Sequence, residues 1–303
     1  MSSILTHYFF INDCFYKYDF VLNNKSIALL GAQGTDPFYF YGNLLKHKDK
    51  KDINNFASHI HNDNPLNLYI HFINEANKLD KTNRDFVFSY IYGLLNHYIL
   101  DRICHPYVFY YSGIDEDFMK NHQKFETNID VLLRQHFNNY IKPSSTIKND
   151  INSLDILSNI YYTYSNNHDL KLNENTFIKA YKDMYNIQNI LYSKHGFKKW
   201  IFHTFMKNSQ VDNTSMPLKI KDGIDYLNLN KNLWQHPTKN FKMSLSFLEL
   251  MDYAKKEFNK IKKILLNAYN RLDYENDLES FINNINHSGI IIGDKMLYSN
   301  PVF

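Results

Sequence analysis

The chain has 303 residues, enough for one large core or two small ones, and 34 basic against 31 acidic residues leave a formal charge of only +3. So even a balance gives no bulk electrostatic case for a nucleic-acid partner, and two cysteines, Cys14 and Cys104, cannot build a disulfide scaffold. With 9 glycines and 7 prolines the chain lacks the breakers of a turn-rich β-sandwich, while 24 tyrosines and 23 phenylalanines promise a bulky aromatic core.

The opening stretch, MSSILTHYFFINDCFYKYDF, has no positive leader, and Asn12 and Asp13 interrupt its apolar run, so it does not read as a secretory signal. The basic run Lys46 to Lys51 reads as a solvated helix face, as does Lys255 to Lys263. PLNLYIHFINEANKL (65–79) places Leu68, Phe72, Ala76 and Leu79 in helical register, with Pro65 in the first turn. The next segment, 85–105, is apolar nearly all round and predicts a central, buried helix. Pro106 marks its expected end, because the residue before a proline avoids the α region. The uncharged run Phe86 to Leu100 is too short to span a bilayer and contains Asn96 and His97. No transmembrane segment is expected, and the protein is read as soluble and cytoplasmic.

An amphipathic helix opening on acidic residues is expected over 115–141, weaker ones over 152–165, 174–194 and 197–208, and a long one over 246–272. Residues 142–150 and 207–217 read as linkers, and convincing alternating strands are absent. The expectation is a single multi-helix, all-α domain over 1–303, with a C-terminal helical region from about 215.

One stretch conflicts with its surroundings. HYILDRICHPY (97–107) puts two histidines, an aspartate and an arginine into the most apolar part of the chain. A charged group there costs several kcal/mol unless it is paired or bound to a metal. His97 and Asp101 are four residues apart and share a helix face; His105 lies four further on, with a drift of about 80° from His97. The next helix repeats the device with His122 and Glu126. Imidazole nitrogen and carboxylate oxygen are the ligands zinc accepts when no thiolate is offered.

Three more places can contribute. His7 lies beside an apolar run in SILTHYFF, Asp36 sits in the turn LLGAQGTDPFYFY, and ASHIHNDNP offers His59 and His61, of which only one points inward if the segment is helical. Each has a plain structural explanation by itself: a single His-x-x-x-acid pair is commonly a surface pair, and Asp-Pro is a turn signal. His47, His71, His136, His168, His195, His203, His236 and His287 show no partner and are read as surface or satisfied core residues, and WQHP, with Trp234 and His236, as packing for the C-terminal helix.

The ordered series THY, GAQGTDPF, HIH, HYILDRICHPY and H-x-x-x-E resembles the bacterial zinc-dependent phospholipase C family from residue 5 to about 126, and DYLNLNKNLWQHP with the helix after it (225–260) is a weaker continuation. The resemblance implies an all-helical fold, shared with the single-strand nucleases, with a cluster of zinc ions in a cleft and a metal-site region of about 1–130. Carried over position by position, Asp36, His61, His97 and Asp101 hold one zinc, His105, His122 and Glu126 a second, and His7 with the bridging Asp101 a third. His61 is taken over His59 because the family histidine is usually followed by a polar loop such as NDNP.

The chain departs from the secreted enzymes in two ways. Their processed N-terminal amine completes the third site, whereas no leader is read here, so two or three Zn²⁺ are expected. The interval from Asp101 to His105 is also shorter than theirs. The implied activity is hydrolysis of a phosphodiester, most simply a phospholipid head group, with Asp36 orienting or deprotonating the water and transient contact with a membrane surface. A nuclease-type phosphodiesterase and a non-catalytic protein with structural zinc are the alternatives; no nucleic-acid partner is expected outside the first.

Overall fold

The computed structural model describes residues 4–17, 24–44, 47–115, 118–207, 209–217 and 219–303. In chain order its helices are α1 (Ile4–Lys17), α2 (Lys25–Gly31), α3 (Pro37–Phe40), α4 (Lys50–Asn62), α5 (Leu66–Asn77), α6 (Lys81–Ser112), α7 (Phe118–His136), α8 (Pro143–Thr146), α9 (Asp155–Asn167), α10 (Thr176–Leu191), α11 (Phe197–Phe205) and α12 (Gln210–Thr214). A two-residue antiparallel hairpin follows, β1 (Trp234–Gln235) on β2 (Lys242–Met243), and then α13 (Phe247–Tyr269) and α14 (Glu275–Ile282). The fold is all-α, and this hairpin is the only paired-strand ladder longer than one residue among the described residues. No described helix is long and apolar enough to cross a membrane.

Helix α6 is the axis on which the rest is assembled. Asp80 caps its start by accepting from the N–H groups of Thr82 and Asn83, four residues before the expected beginning. From Val87 to Asp101 every residue is buried, and α2, α5, α7, α9 and α13 pack around it. The closest approach is to α2. A Cβ on Gly93 would stand 2.2 Å from the Ala28 carbonyl oxygen, and one on Gly31 would stand 2.3 Å from that of Tyr90. Glycine at both positions lets the two backbones touch.

The expected end of α6 at His105 is wrong by two turns. The helix runs through Pro106 and stops at Ser112, where Gly113 takes a φ of 91°. A proline inside a helix leaves the carbonyl four residues earlier without its donor, here that of Arg102. Gly289 lies against this carbonyl: a Cβ there would meet the Arg102 oxygen at 2.1 Å and Pro106 Cγ at 2.8 Å. The added length carries Phe109 to the functional cavity and lets Tyr110 and Tyr111 accept from the N–H groups of Asn300 and Val302.

Other boundaries moved less. Residues 116–117 of the expected 115–141 helix lie outside the described residues, as does Lys46 of the first basic run. The C-terminal end of that helix, α7, falls at His136, because Asn138 turns into the left-handed region and Asn139 N–H bonds back to the Arg134 carbonyl. The 207–217 linker contains α12, with residue 208 outside the described residues, and 142–150 contains α8. Ser246 and Glu249 form a capping box at the start of α13. Trp234 packs on Tyr107 and Tyr110 of α6 and donates to the Leu245 carbonyl just before α13.

A methyl group at Gly93 must push α2 off α6. Gly93→Ala is expected to cost about 1–3 kcal/mol, the usual range for overpacking a tight core, read from chemical denaturation.

Candidate metal centre

The buried run of α6 turns one face toward α1 and the 32–36 turn. On that face His97 Nε2 lies 3.0 Å from Asp101 Oδ2. His7, from α1, brings Nε2 to 3.2 Å from Asp101 Oδ1, and the His7 and His97 rings stack at 4.3 Å. The turn before α3 carries Asp36 to His61 of α4, with Oδ1 and Nε2 3.1 Å apart. That turn presses on His97: Gly34 has a φ of 58°, and a Cβ there would fall 2.2 Å from His97 Cδ2. One turn further along α6, His105 Nε2 is 3.5 Å from Glu126 Oε1, which His122 Nε2 approaches to 3.2 Å from its own helix α7.

The eight residues singled out in the sequence thus form three groups: His7, His97 and Asp101; Asp36, His61 and His97; His105, His122 and Glu126. Within each, the candidate ligand atoms lie within 4.8 Å of one another. His105 Nδ1, 3.8 Å from Asp101 Oδ2, links the last group to the first. The geometry ties His97 to both of the first two groups, where the resemblance gave it to one ion. It also separates His59 from His61. In helix α4, residues two apart point about 200° from each other. His61 faces the cavity, while His59 bonds at the surface to Asp63 at 2.5 Å.

Backbone carbonyls set the ring tautomers. His97 Nδ1 donates to Ala32 at 3.1 Å, His61 Nδ1 to Ala57 at 3.0 Å and His105 Nδ1 to His287 at 2.9 Å. A neutral imidazole that donates from Nδ1 presents a lone pair at Nε2. Those lone pairs face carboxylate oxygens, an arrangement that repels unless a proton or a cation stands between. His97 Nε2, though close to Asp101, makes no hydrogen bond, and the buried Nδ1 atoms of His7 and His122 have no partner among the described residues. Protons can serve at some positions only. Burial pulls His105 down, but the Asp101 and Glu126 carboxylates outweigh it and raise it to about 9. Burial holds His7 and His122 below the usual imidazole value. Burial works against the charge on Asp101 too, yet His105, His97 and His7 hold it well below the usual carboxylate range. Nitrogen and oxygen donors in groups of three, with an unbonded buried Nε2, fit divalent metal ions.

Two contributors were not singled out for the site in the sequence. Asp130, one turn beyond Glu126 on α7, is buried; its carboxylate accepts from Thr6 N–H (2.8 Å), Thr6 Oγ1 (2.6 Å) and Leu5 N–H (3.2 Å). These are first-turn groups of α1, so Asp130 fixes the start of the helix that delivers His7. Burial pushes its carboxyl up to about 7, against the pull of those hydrogen bonds. His287, read in the sequence as a surface or satisfied core residue without a partner, is the second; it is buried and has partners at the site. Its carbonyl orients His105, its N–H reaches the His61 carbonyl at 3.3 Å, and its ring lies 4.9 Å from that of His61. The turn residues Asn286, Ser288 and Gly289 were the only sequence signal near it.

The groups border an open cavity of about 430 Å³, whose lining also includes the apolar side chains of Phe109, Ile114, Met119 and Met296. A family model described as zinc dependent phospholipase C matches residues 5–188, more than half of the chain and a span that includes all eight residues. The chain belongs to the zinc-dependent phospholipase C family. Neither the comparison with curated proteins nor that with solved structures gives a match. As a member of this family the chain is a zinc-dependent protein of all-helical fold. Its matched span outruns the resemblance read to about 126, and it leaves out both 225–260 and His287.

Removing the Asp130 carboxylate strands three buried donors. Asp130→Ala is expected to lower unfolding stability by about 2–4 kcal/mol, since each unsatisfied buried group costs roughly 1–3 kcal/mol before relaxation. Asp130→Asn, which keeps one acceptor oxygen, should lose less. Equal denaturation midpoints for wild type and Asp130→Ala would deny Asp130 this anchoring part.

Proposed function

We propose that the chain is a zinc-dependent phosphodiester hydrolase of the phospholipase C type, which removes the phosphorylated head group of a phospholipid by attack of water at phosphorus. The observation that carries this reading is the placement of all three donor groups at one cavity open to solvent. Structural metal sites are closed by their ligands, whereas catalytic ones keep a position for water and substrate. In this reading Asp36, His61, His97 and Asp101 hold one ion, His105, His122 and Glu126 a second, and His7 with Asp101 a third. Zinc bound there supplies Lewis acidity, bringing the pKa of water from about 15.7 toward 7 and offsetting charge on the phosphoryl oxygens.

The chain's own residues do the rest. Asp36 begins α3 but makes no side-chain cap bond, so its carboxylate is not spent on the helix and faces the cavity. It orients the water and takes its proton. The carbonyls of Ala32, Ala57 and His287 keep three imidazoles turned with Nε2 inward. Because His287 and Gly289 reach back to α6 and α4, residues 1–303 act as one unit in this reading.

Two features favour lipid over nucleic acid. Among the described residues lining the cavity none is lysine or arginine, the groups that would track a polynucleotide backbone. The apolar lining of Phe109, Ile114, Met119 and Met296 suits a glyceride.

Protein purified without chelator is expected to carry about two to three zinc ions per chain, the capacity of three N/O donor groups, and to hydrolyse phosphatidylcholine in preference to bis-p-nitrophenyl phosphate and single-stranded DNA. A folded, metal-free protein would refute the reading, and preferential cleavage of DNA would replace it with the nuclease. His97→Ala and Glu126→Ala should each bind less zinc and unfold at lower temperature. Wild-type zinc content in both would show that the ligands lie elsewhere.

A further inference from the structure

Tyr39 lines the metal cavity on one side and a second cavity of about 230 Å³ on the other. The second is apolar. Phe40, Leu44, Ile187, Ile190, Leu191 and Val211 form most of its wall, and no charged side chain is among its described lining residues. Leu44 and Ile190 are 40 % and 45 % exposed, so the pocket opens to the surface at aliphatic groups.

Helix α11 packs against α12 and is bonded to α10, the two helices that supply Val211, Ile187, Ile190 and Leu191 to this wall. It has no buried residue, and Phe197, Trp200 and Phe205 are 62 %, 60 % and 78 % exposed. Phe197 and Trp200 stack with ring centroids 5.8 Å apart. Two lysines tie the helix to the pocket walls: Lys198 Nζ donates to the Asn189 carbonyl, beside Ile190, and Lys199 Nζ lies 2.8 Å from Asp212 Oδ1, beside Val211. Lys194 and Lys207 are exposed beyond its two ends. Water is a poor solvent for three large aromatic groups on nine residues, and such a patch marks a surface made for a partner. Aromatic rings beside lysines are the composition that settles at the level of lipid head groups, with cations meeting phosphate and rings meeting acyl chains.

We propose that α11 docks the protein on a phospholipid membrane containing anionic lipid, and that the apolar pocket beyond Tyr39 takes up acyl chain from the lipid whose phosphodiester enters the metal cavity. The proposal rests on the lipid reading above and adds to it where the lipid tail goes and which face meets the bilayer. Membrane is favoured over a protein partner by continuity: the pocket is uncharged, it shares Tyr39 with the metal cavity, and the cations lie at the ends of the aromatic face.

Sedimentation of the zinc-loaded full chain with phosphatidylcholine vesicles containing phosphatidylserine tests the docking face without requiring turnover. Of the two tryptophans, Trp234 is buried, so a blue shift of emission on adding vesicles reports Trp200. The wild type is expected to sediment with vesicles and to show that shift. The double variant Trp200→Ser, Phe205→Ser should bind about tenfold more weakly or worse, as interfacial binding scales with buried apolar area. Its zinc content and unfolding temperature serve as controls for an intact fold, since both side chains are exposed. Ile190→Asp should lower the ratio of rates on long-chain vesicular to short-chain monomeric phosphatidylcholine by about tenfold, because a carboxylate in the pocket removes the apolar contact that a long chain gains there. Unaltered vesicle binding in the double variant, or a concentration-dependent dimer that the same variant abolishes, would overturn the docking face. An unaltered rate ratio for Ile190→Asp would overturn the acyl pocket. Vesicle binding by a wild type that hydrolyses no lipid would support the docking face and refute only the enzymatic reading.

Discussion

A single carboxylate carries the design. Asp101 sits in the buried run of α6 with His7 and His97 at 3.2 and 3.0 Å and His105 at 3.8 Å. An ionised carboxylate in such surroundings costs several kcal/mol unless opposite charge or hydrogen bonds replace water. Neutral imidazoles turned with their lone pairs inward do not provide this; imidazolium ions or metal cations do. Protonating every histidine in the cluster would put several like charges within a few ångströms of one another, and burial already holds His7 and His122 below the usual value. Shared divalent cations would relieve the lone-pair and the carboxylate repulsion together.

That requirement explains features which otherwise look wasteful. The 32–36 turn needs glycine at 34 because a larger residue would displace the His97 ring. Helix α7 presents His122, Glu126 and Asp130 at four-residue intervals, so one face serves two purposes. Its first two members look into the cavity, and the third grips the start of α1 through the backbone of Leu5 and Thr6. His7 and Asp101 are far apart in sequence, and holding them together costs chain entropy. Anchoring α1 on the helix that also carries Glu126 lets one set of packing contacts meet that cost.

The parts legible in sequence are those where helix geometry turns spacing into position. His97 with Asp101 needed only the four-residue interval and an apolar context, and His122 with Glu126 repeated that interval on an amphipathic helix. The all-α class followed from the scarcity of breakers and from period. His61 over His59 became a geometric statement only once α4 was a helix. Pro106 misled because the rule describes a chain without neighbours: here Gly289, from nearly the other end, covers the carbonyl that proline frees, and α6 continues. His287 and Asp130 were illegible for a related reason. Each acts through the backbone of a distant segment, and a backbone contact leaves no mark in side-chain spacing.

The C-terminal segment gains significance from this. The family model ends at 188, yet Tyr98 Oη donates to the Ile285 carbonyl, His105 to that of His287, and Gly289 lies on Arg102. Three successive turns of α6 are therefore met by one loop, residues 285–289, that lies outside the matched span. The same loop reaches α4 through His287 N–H on the His61 carbonyl and Asn286 Nδ2 on that of Asn62. A loop that bonds both helices ties the backbone at His61, of the second donor group, to the ring of His105, of the last. Part of the region read in sequence only as C-terminal and helical is thus a loop that joins two of the donor groups from outside the matched span.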